Sequence, residues 1–146
     1  GIQPPKWQNV NSVFLYAISH LDMSHVTRTI NLGSLEIYAD SLLEKVLFTL
    51  AENSLIHGDH VTEIRCSCRR EGAEIIIFYE DDGVGIPDNR KEKIFDHHYT
   101  EKGLPLSLAR EILSITDITI RETGVYGKGA RFEIRVRNGY FRPGPA

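Results

Sequence analysis

The sequence predicts an α+β fold, a two-layer sandwich in which a mixed, mainly antiparallel sheet is covered on one face by about three helices. Three observations predict it. Apolar residues recur at helical spacing in three separate segments. Other segments alternate at period two, or run apolar without a break, as strands do. The strand segments arrive in pairs, with a helix between one pair and the next.

The elements follow in order. Trp7, Val10, Phe14, Ala17, Ile18 and Leu21 have helical spacing, so a helix is expected from Trp7 to about Ser19. Val26–Leu32 and Leu35–Ala39 read as a hairpin turning at Gly33-Ser34. Asp40-Ser41 then caps a helix over 41–57, with Glu44 completing a capping box, Leu43, Val46, Leu47, Leu50 and Ala51 as its apolar stripe, and His57-Gly58 at its end. Ile64, Cys66 and Cys68 share one face of the next strand, and Glu71-Gly72 turns it. The two cysteines read as small apolar side chains, since CxC without a second pair is no zinc signature. Glu74–Asp81 carries Ile75, Ile76, Ile77, Phe78 and Tyr79 in one run, the mark of a central strand. Between Asp81 and Leu106 a loop with a short helix near Asn89–Phe95 is expected. Leu106–Ile115 is helical again, and Ile118–Glu122 and Arg131–Arg137 are strands.

Composition bounds the function. The chain has 146 residues, the size of one domain with a real core. Lys and Arg total 17 and Asp and Glu 20, a net charge of −3, so no sequence-independent pull toward nucleic acid is expected. Apolar residues make up 41%, too many for a disordered chain. No apolar run approaches the ~18–20 residues of a membrane span, and no signal peptide opens the chain. A cytoplasmic setting without membrane contact is expected. The only methionine is Met23, so the chain reads as a piece of a longer protein. Residues 1–6 read as a linker or tag remnant, 7–137 as the domain and 138–146 as a C-terminal tail.

Three stretches carry candidate chemistry. Asp81-Asp82-Gly83-Val84-Gly85-Ile86-Pro87 follows the central strand. A carboxylate at a strand end can accept from an exocyclic amine, and glycines let backbone approach a flat ring. The alternative is a plain strand-to-loop turn. Thr49, Asn53 and His57 form a polar row at i, i+4, i+8 beside the apolar stripe. Asn53 can offer an oxygen to a divalent cation held by phosphates, or simply bond nearby backbone. Gly103-Leu104-Pro105 leads into a helix N-terminus, which presents amides and a positive dipole end to phosphate. Lys102 adjoins it, and Arg90, Lys91 and Lys93 precede it, although basic loop residues are usually just solvated.

Taken in order, these stretches resemble the ATP-binding domain of sensor histidine kinases, within the superfamily shared with gyrase, a heat-shock chaperone and mismatch-repair ATPases. Glu52-Asn53-Ser54-Leu55-Ile56-His57-Gly58 looks like its asparagine box, and Asp81–Pro87 closely matches its first glycine box. Ile94-Phe95-Asp96-His97-His98-Tyr99-Thr100 resembles the phenylalanine-containing lid segment. Gly103–Ala109 and Gly127-Lys128-Gly129-Ala130-Arg131-Phe132 resemble the two remaining glycine boxes.

The resemblance implies a Bergerat-type ATP-binding fold and a set of roles. Asp81 would bind the adenine amino group, and Asn53 would ligate magnesium. Glu52 and Asn53 would be the catalytic residues. Asn53, His57, Asp81, Gly83, Gly85, Ile86, Lys102, Gly103, Leu104, Gly129 and Phe132 would contact the nucleotide, under a lid of about residues 88–105. The reaction would move the γ-phosphoryl group of ATP to a histidine on an upstream dimerisation domain of the same parent protein, and from there to a response regulator.

Departures keep alternatives open. Pro105 stands where the family usually has glycine, at a first-turn helical position, and lacks an N–H. Ile56 stands where lysine is frequent, and Thr49 where asparagine is frequent. The hydrolytic relatives carry a glutamate base at the position of Thr49, so a gyrase-like ATPase is not expected. A degenerate nucleotide-binding or partner-binding module and an anti-sigma-type serine kinase are the alternatives. His20 in Ser19-His20-Leu21-Asp22 lies too close to Asn53 for a phosphoacceptor hairpin to fit between them. His97 and His98 read as a solvated lid pair.

Overall fold

The computed structural model describes residues 3–96 and 104–145. Its elements are β1 (Lys6–Asn9), α1 (Val10–Ile18), β2 (Thr27–Asn31), β3 (Leu35–Ala39), α2 (Leu43–His57), β4 (Glu63–Glu71), β5 (Glu74–Asp81), α3 (Leu106–Ser114), β6 (Thr119–Glu122), β7 (Arg131–Val136) and β8 (Phe141–Pro143). Two 3-10 turns, Asp88–Arg90 and Lys93–Phe95, replace the short helix expected near 89–95.

The α+β architecture holds, but the strands form two sheets. A five-stranded sheet has the order β2-β4-β5-β7-β6, and a three-stranded one has β1-β3-β8. β5 is central as expected, antiparallel to β4 and to β7. Its Ile75, Ile77 and Tyr79 face a core shared with Phe14 and Ile18 of α1, Val46, Leu47 and Leu50 of α2, and Ile112 and Leu113 of α3. α2 lies between α1 and α3. None of the helices among the described residues is long and apolar enough to cross a membrane.

The expected hairpin of 26–32 with 35–39 does not form. Gly33 turns the chain at φ 56°, yet β2 pairs parallel with β4 while β3 pairs antiparallel with β1 and β8. Alternation marks a strand but not its partner. β3 buries Leu35, Ile37 and Ala39, whereas β2 is mostly exposed and serves as a sheet edge.

Three end assignments also change. The first helix begins at Val10, because Trp7 belongs to β1 and Asn9 is the N-cap, its Oδ1 accepting from Ser12 N at 2.8 Å. Ser41 and Glu44 form no capping box. Asp40 instead turns the chain by accepting from Leu42 N at 2.8 Å, and α2 starts at Leu43, two residues later than expected. The tail at 138–146 contains β8, held by pairing with β3 and by Arg142 stacked 4.0 Å over the Trp7 ring. Cys66 is buried, which pushes its thiol up to about 12, helped by Cys68 nearby, while Cys68 is half-buried.

Candidate functional site

The apolar run of β5 carries its last residue, Asp81, to the edge of the core, where it is 8% exposed. Its carboxylate is fully positioned. Oδ1 accepts from Gly83 N at 2.9 Å and from Ala130 N at 3.0 Å. Oδ2 accepts from Ser54 Oγ at 2.6 Å. Ser54 spends its one proton there, so the Tyr79 hydroxyl, 2.7 Å away, donates to Ser54. Burial pushes the Tyr79 phenol far above its ordinary value, against the opposing effect of the Ser54 hydrogen bond, so it stays a protonated donor. Three protein donors leave one of the roughly four acceptor positions of a carboxylate open.

Asp81 lines a cavity of about 630 Å³, within the roughly 300–1,000 Å³ of small-molecule sites. Leu50, Ile86, Leu104 and Phe132 give it apolar walls, and α2 presents Glu52, Asn53 and His57 to it. Gly85, Arg90 and Ala130 line it as well. An anionic acceptor set in apolar walls suits a flat, amine-bearing ring. No group of three or more His, Cys, Asp or Glu able to hold a metal ion occurs among the described residues.

The structure gathers most of the expected residues and re-assigns some. Glu52, Asn53, His57, Asp81, Gly85, Ile86, Leu104 and Phe132 share the cavity. Gly83 and Gly129 do not line it. Gly83 rests on the end of α2, where an added Cβ would stand 2.2 Å from Gly58 O. Gly129 rests on the end of β5, where a Cβ would stand 2.0 Å from Asp81 O. Both glycines seat the chain behind the wall rather than form it. Thr49 leaves the polar row: it is buried, and its Oγ1 accepts from Leu104 N at 3.1 Å, tying the chain before α3 to α2. Lys102 and Gly103 lie outside the described residues, as do His97 and His98.

Pro105 is not in the first turn of α3. It is the N-cap, with extended backbone (ψ 148°), and its carbonyl accepts from Leu108 N and Ala109 N, each at 3.0 Å. Arg90 alone of the three basic residues at 90–93 lines the cavity. Phe95 is buried under Arg110, whose guanidinium stands 3.8 Å from the ring centre and pairs with Glu92 at 3.1 Å.

Sequence reasoning missed Ser54, Tyr79 and Ala130 as neighbours of Asp81. Tyr79 carried a usable signal, since it sits two residues before Asp81 and so on the same strand face. Ala130 carried none, being 49 residues away in the chain.

Comparison with known proteins bears on this site. The family model described as "Histidine kinase-, DNA gyrase B-, and HSP90-like ATPase" matches residues 39–139. The alginate biosynthesis sensor protein KinB of Pseudomonas aeruginosa is 33% identical over 96 residues, covering 62% of this chain and 16% of that protein. The mycobacterial sensor histidine kinase MprB shares the fold at a TM-score of 0.78 and 13% identity, over 95% of this chain and 99% of that one. The histidine kinase ThkA, solved in complex with the response regulator protein TrrA, gives a TM-score of 0.71 at 20% identity, over 92% of this chain and 42% of that one. The chain spans 16% to 34% of the length of the curated relatives KinB, SasA and CiaH.

Proposed function

The chain belongs to the histidine kinase-, DNA gyrase B- and HSP90-like ATPase family, and from that premise we propose that it is the catalytic ATP-binding domain of a two-component sensor histidine kinase. It holds Mg·ATP and delivers the γ-phosphoryl group to a histidine on an upstream domain of its parent protein. A response regulator then receives that group, as the ThkA complex with TrrA suggests by analogy. The observation that carries the reading is the Asp81 carboxylate, locked by three protein donors and facing an apolar cavity with one acceptor position left.

The residues divide the work. Asp81 accepts the adenine amino group, and Ile86, Leu104 and Phe132 exclude water from the ring. Arg90 supplies positive charge toward the phosphates, a role Ile56 cannot fill. Asn53 would hold a magnesium ion through its side-chain oxygen, a hard donor of the kind that ion takes. When bound, the ion neutralises charge on the phosphates. Glu52, next to Asn53 on α2 and facing the same cavity, orients the acceptor imidazole. Transfer of this kind rests on positioning and charge stabilisation.

Pro105 counts less against this reading than its position in the sequence suggests. The donors a helix offers to phosphate are the amides after the N-cap. As the N-cap, Pro105 lacks an amide that precedes them.

The test is phosphate labelling. In the parent protein, ATP labelled at the γ-position should place acid-labile phosphate on a histidine upstream of residue 1. The isolated chain should take up none. Acid-stable label on serine would move the protein to the serine-kinase class.

A further inference from the structure

Beside the cavity, Lys91 and Glu122 form a buried ion pair. Lys91 stands in the loop that follows the first glycine box, where a basic residue would be taken for a phosphate ligand. Its side chain is only 18% exposed, and the carboxylate of Glu122, at the end of β6, is fully buried. The ammonium has three protons, and all three are used. They go to Glu122 Oε1, to Ile86 O at 3.1 Å and to Gly124 O at 2.9 Å. The other carboxylate oxygen of Glu122 is also engaged, accepting from Arg131 N at 2.9 Å and Gly124 N at 3.2 Å. The ammonium has no proton left for a ligand, and both oxygens of the fully buried Glu122 carboxylate are engaged within the protein.

The pair joins two walls of the cavity. Ile86 is one wall of the cavity, and its carbonyl is held by Lys91. Arg131 follows Ala130, whose amide donates to Asp81 Oδ1 and whose carbonyl accepts from Asp81 N at 3.0 Å. The pair therefore clamps the loop wall at Ile86 to the strand wall at Ala130–Phe132, with Asp81 between them. A buried pair with all three ammonium protons and both carboxylate oxygens engaged specifies one geometry, and loss of one partner strands the other charge. Resting on the ATP-site reading, we infer that Lys91 and Glu122 are positioning residues that set the gap between the two faces of the purine slot. Lys91 acts on the base and not on the phosphates.

Calorimetric titration of adenosine, ADP and Mg·ATP into the unaltered chain, Lys91→Met, and Lys91→Met with Glu122→Gln tests this. The double substitution leaves no stranded charge and keeps an acceptor for Arg131 N, so it stays foldable where the single one is marginal. Unfolding midpoints are measured on the same samples. All three ligands should weaken by one common factor, about 10- to 100-fold, the range typical when a support behind a contact is lost. Arg90→Gln provides the contrast, with a loss that grows from adenosine to ATP. A Lys91 loss that grows with phosphate number overturns the inference, because Lys91 would then be a phosphate ligand. A lowered midpoint with unchanged affinities also overturns it, because the pair would then serve the fold alone. If the unaltered chain binds none of the three, the ATP-site reading itself fails before any substitution is considered, and this inference fails with it.

Discussion

Asp81→Asn should weaken ATP by about 10- to 150-fold while leaving the protein folded, the range of one hydrogen bond to a charged group, about 1.5–3 kcal/mol. The asparagine oxygen can take the place of Oδ1 and still accept from Gly83 N and Ala130 N. Its amide nitrogen then takes the place of Oδ2. There it meets Ser54, which can turn to accept, and it faces the cavity as a donor. An incoming exocyclic amine would meet N–H against N–H. The acceptor is lost and a repulsive contact replaces it. Asp81→Ala is the less informative change, because it also leaves two buried amides without partners, at roughly 1–3 kcal/mol each. Titration with ATP, together with a thermal melt of the same sample, separates the two effects. Unchanged affinity in a folded Asp81→Asn protein would remove Asp81 from the site.

Gly129→Ala should have the largest effect on stability, roughly 3–5 kcal/mol, the upper range for single substitutions. Two causes add. Gly129 has φ 135°, where side chains other than hydrogen are strained. An added Cβ would also stand 2.0 Å from Asp81 O and 3.2 Å from Asp82 Cα, both parts of the main chain that cannot swing aside. The end of β5 must then shift, and Asp81 with it, so nucleotide affinity should fall along with stability. Gly127→Ala is the matched control. It too has positive φ, 91°, but nothing lies within 4 Å of its added Cβ. Only backbone strain applies there, about 1–2 kcal/mol. Urea unfolding of the pair gives the comparison. Equal losses would show that the close approach at Gly129 is relieved at little cost.

Much of this site can be read from the chain alone, and particular residues show why. The run from Ile75 to Tyr79 makes β5 central, because only a strand covered on both sides tolerates so much apolar surface. With that strand fixed, Asp81 at its end follows directly. The polar row on α2 follows from helical periodicity, and its Asn53 and His57 reach the cavity while Thr49 does not. What could not be read was pairing at a distance. β2 and β3 look like a hairpin because local alternation carries no partner label, yet they enter different sheets. Lys91 looks like its neighbour Arg90 in sequence. Only the fold brings Glu122 beneath the one and leaves the other at the cavity. Gly83 and Gly129 are expected from the sequence to contact the nucleotide, and the fold presses each of them against another backbone segment that no local pattern announces. The strand at 141–143 was hidden for a similar reason. Its three residues are held by β3 and by stacking on Trp7, both far off in sequence.

The central claim is that this cavity is an adenine-nucleotide site anchored at Asp81. Titration of Mg·ATP into the 146-residue chain, with Mg·GTP as competitor, tests it most directly. Saturable ATP binding that GTP does not displace is the expected result, because guanine offers a carbonyl where adenine offers its amine. Failure of ATP to bind at millimolar concentration, or equal binding of GTP, would contradict it.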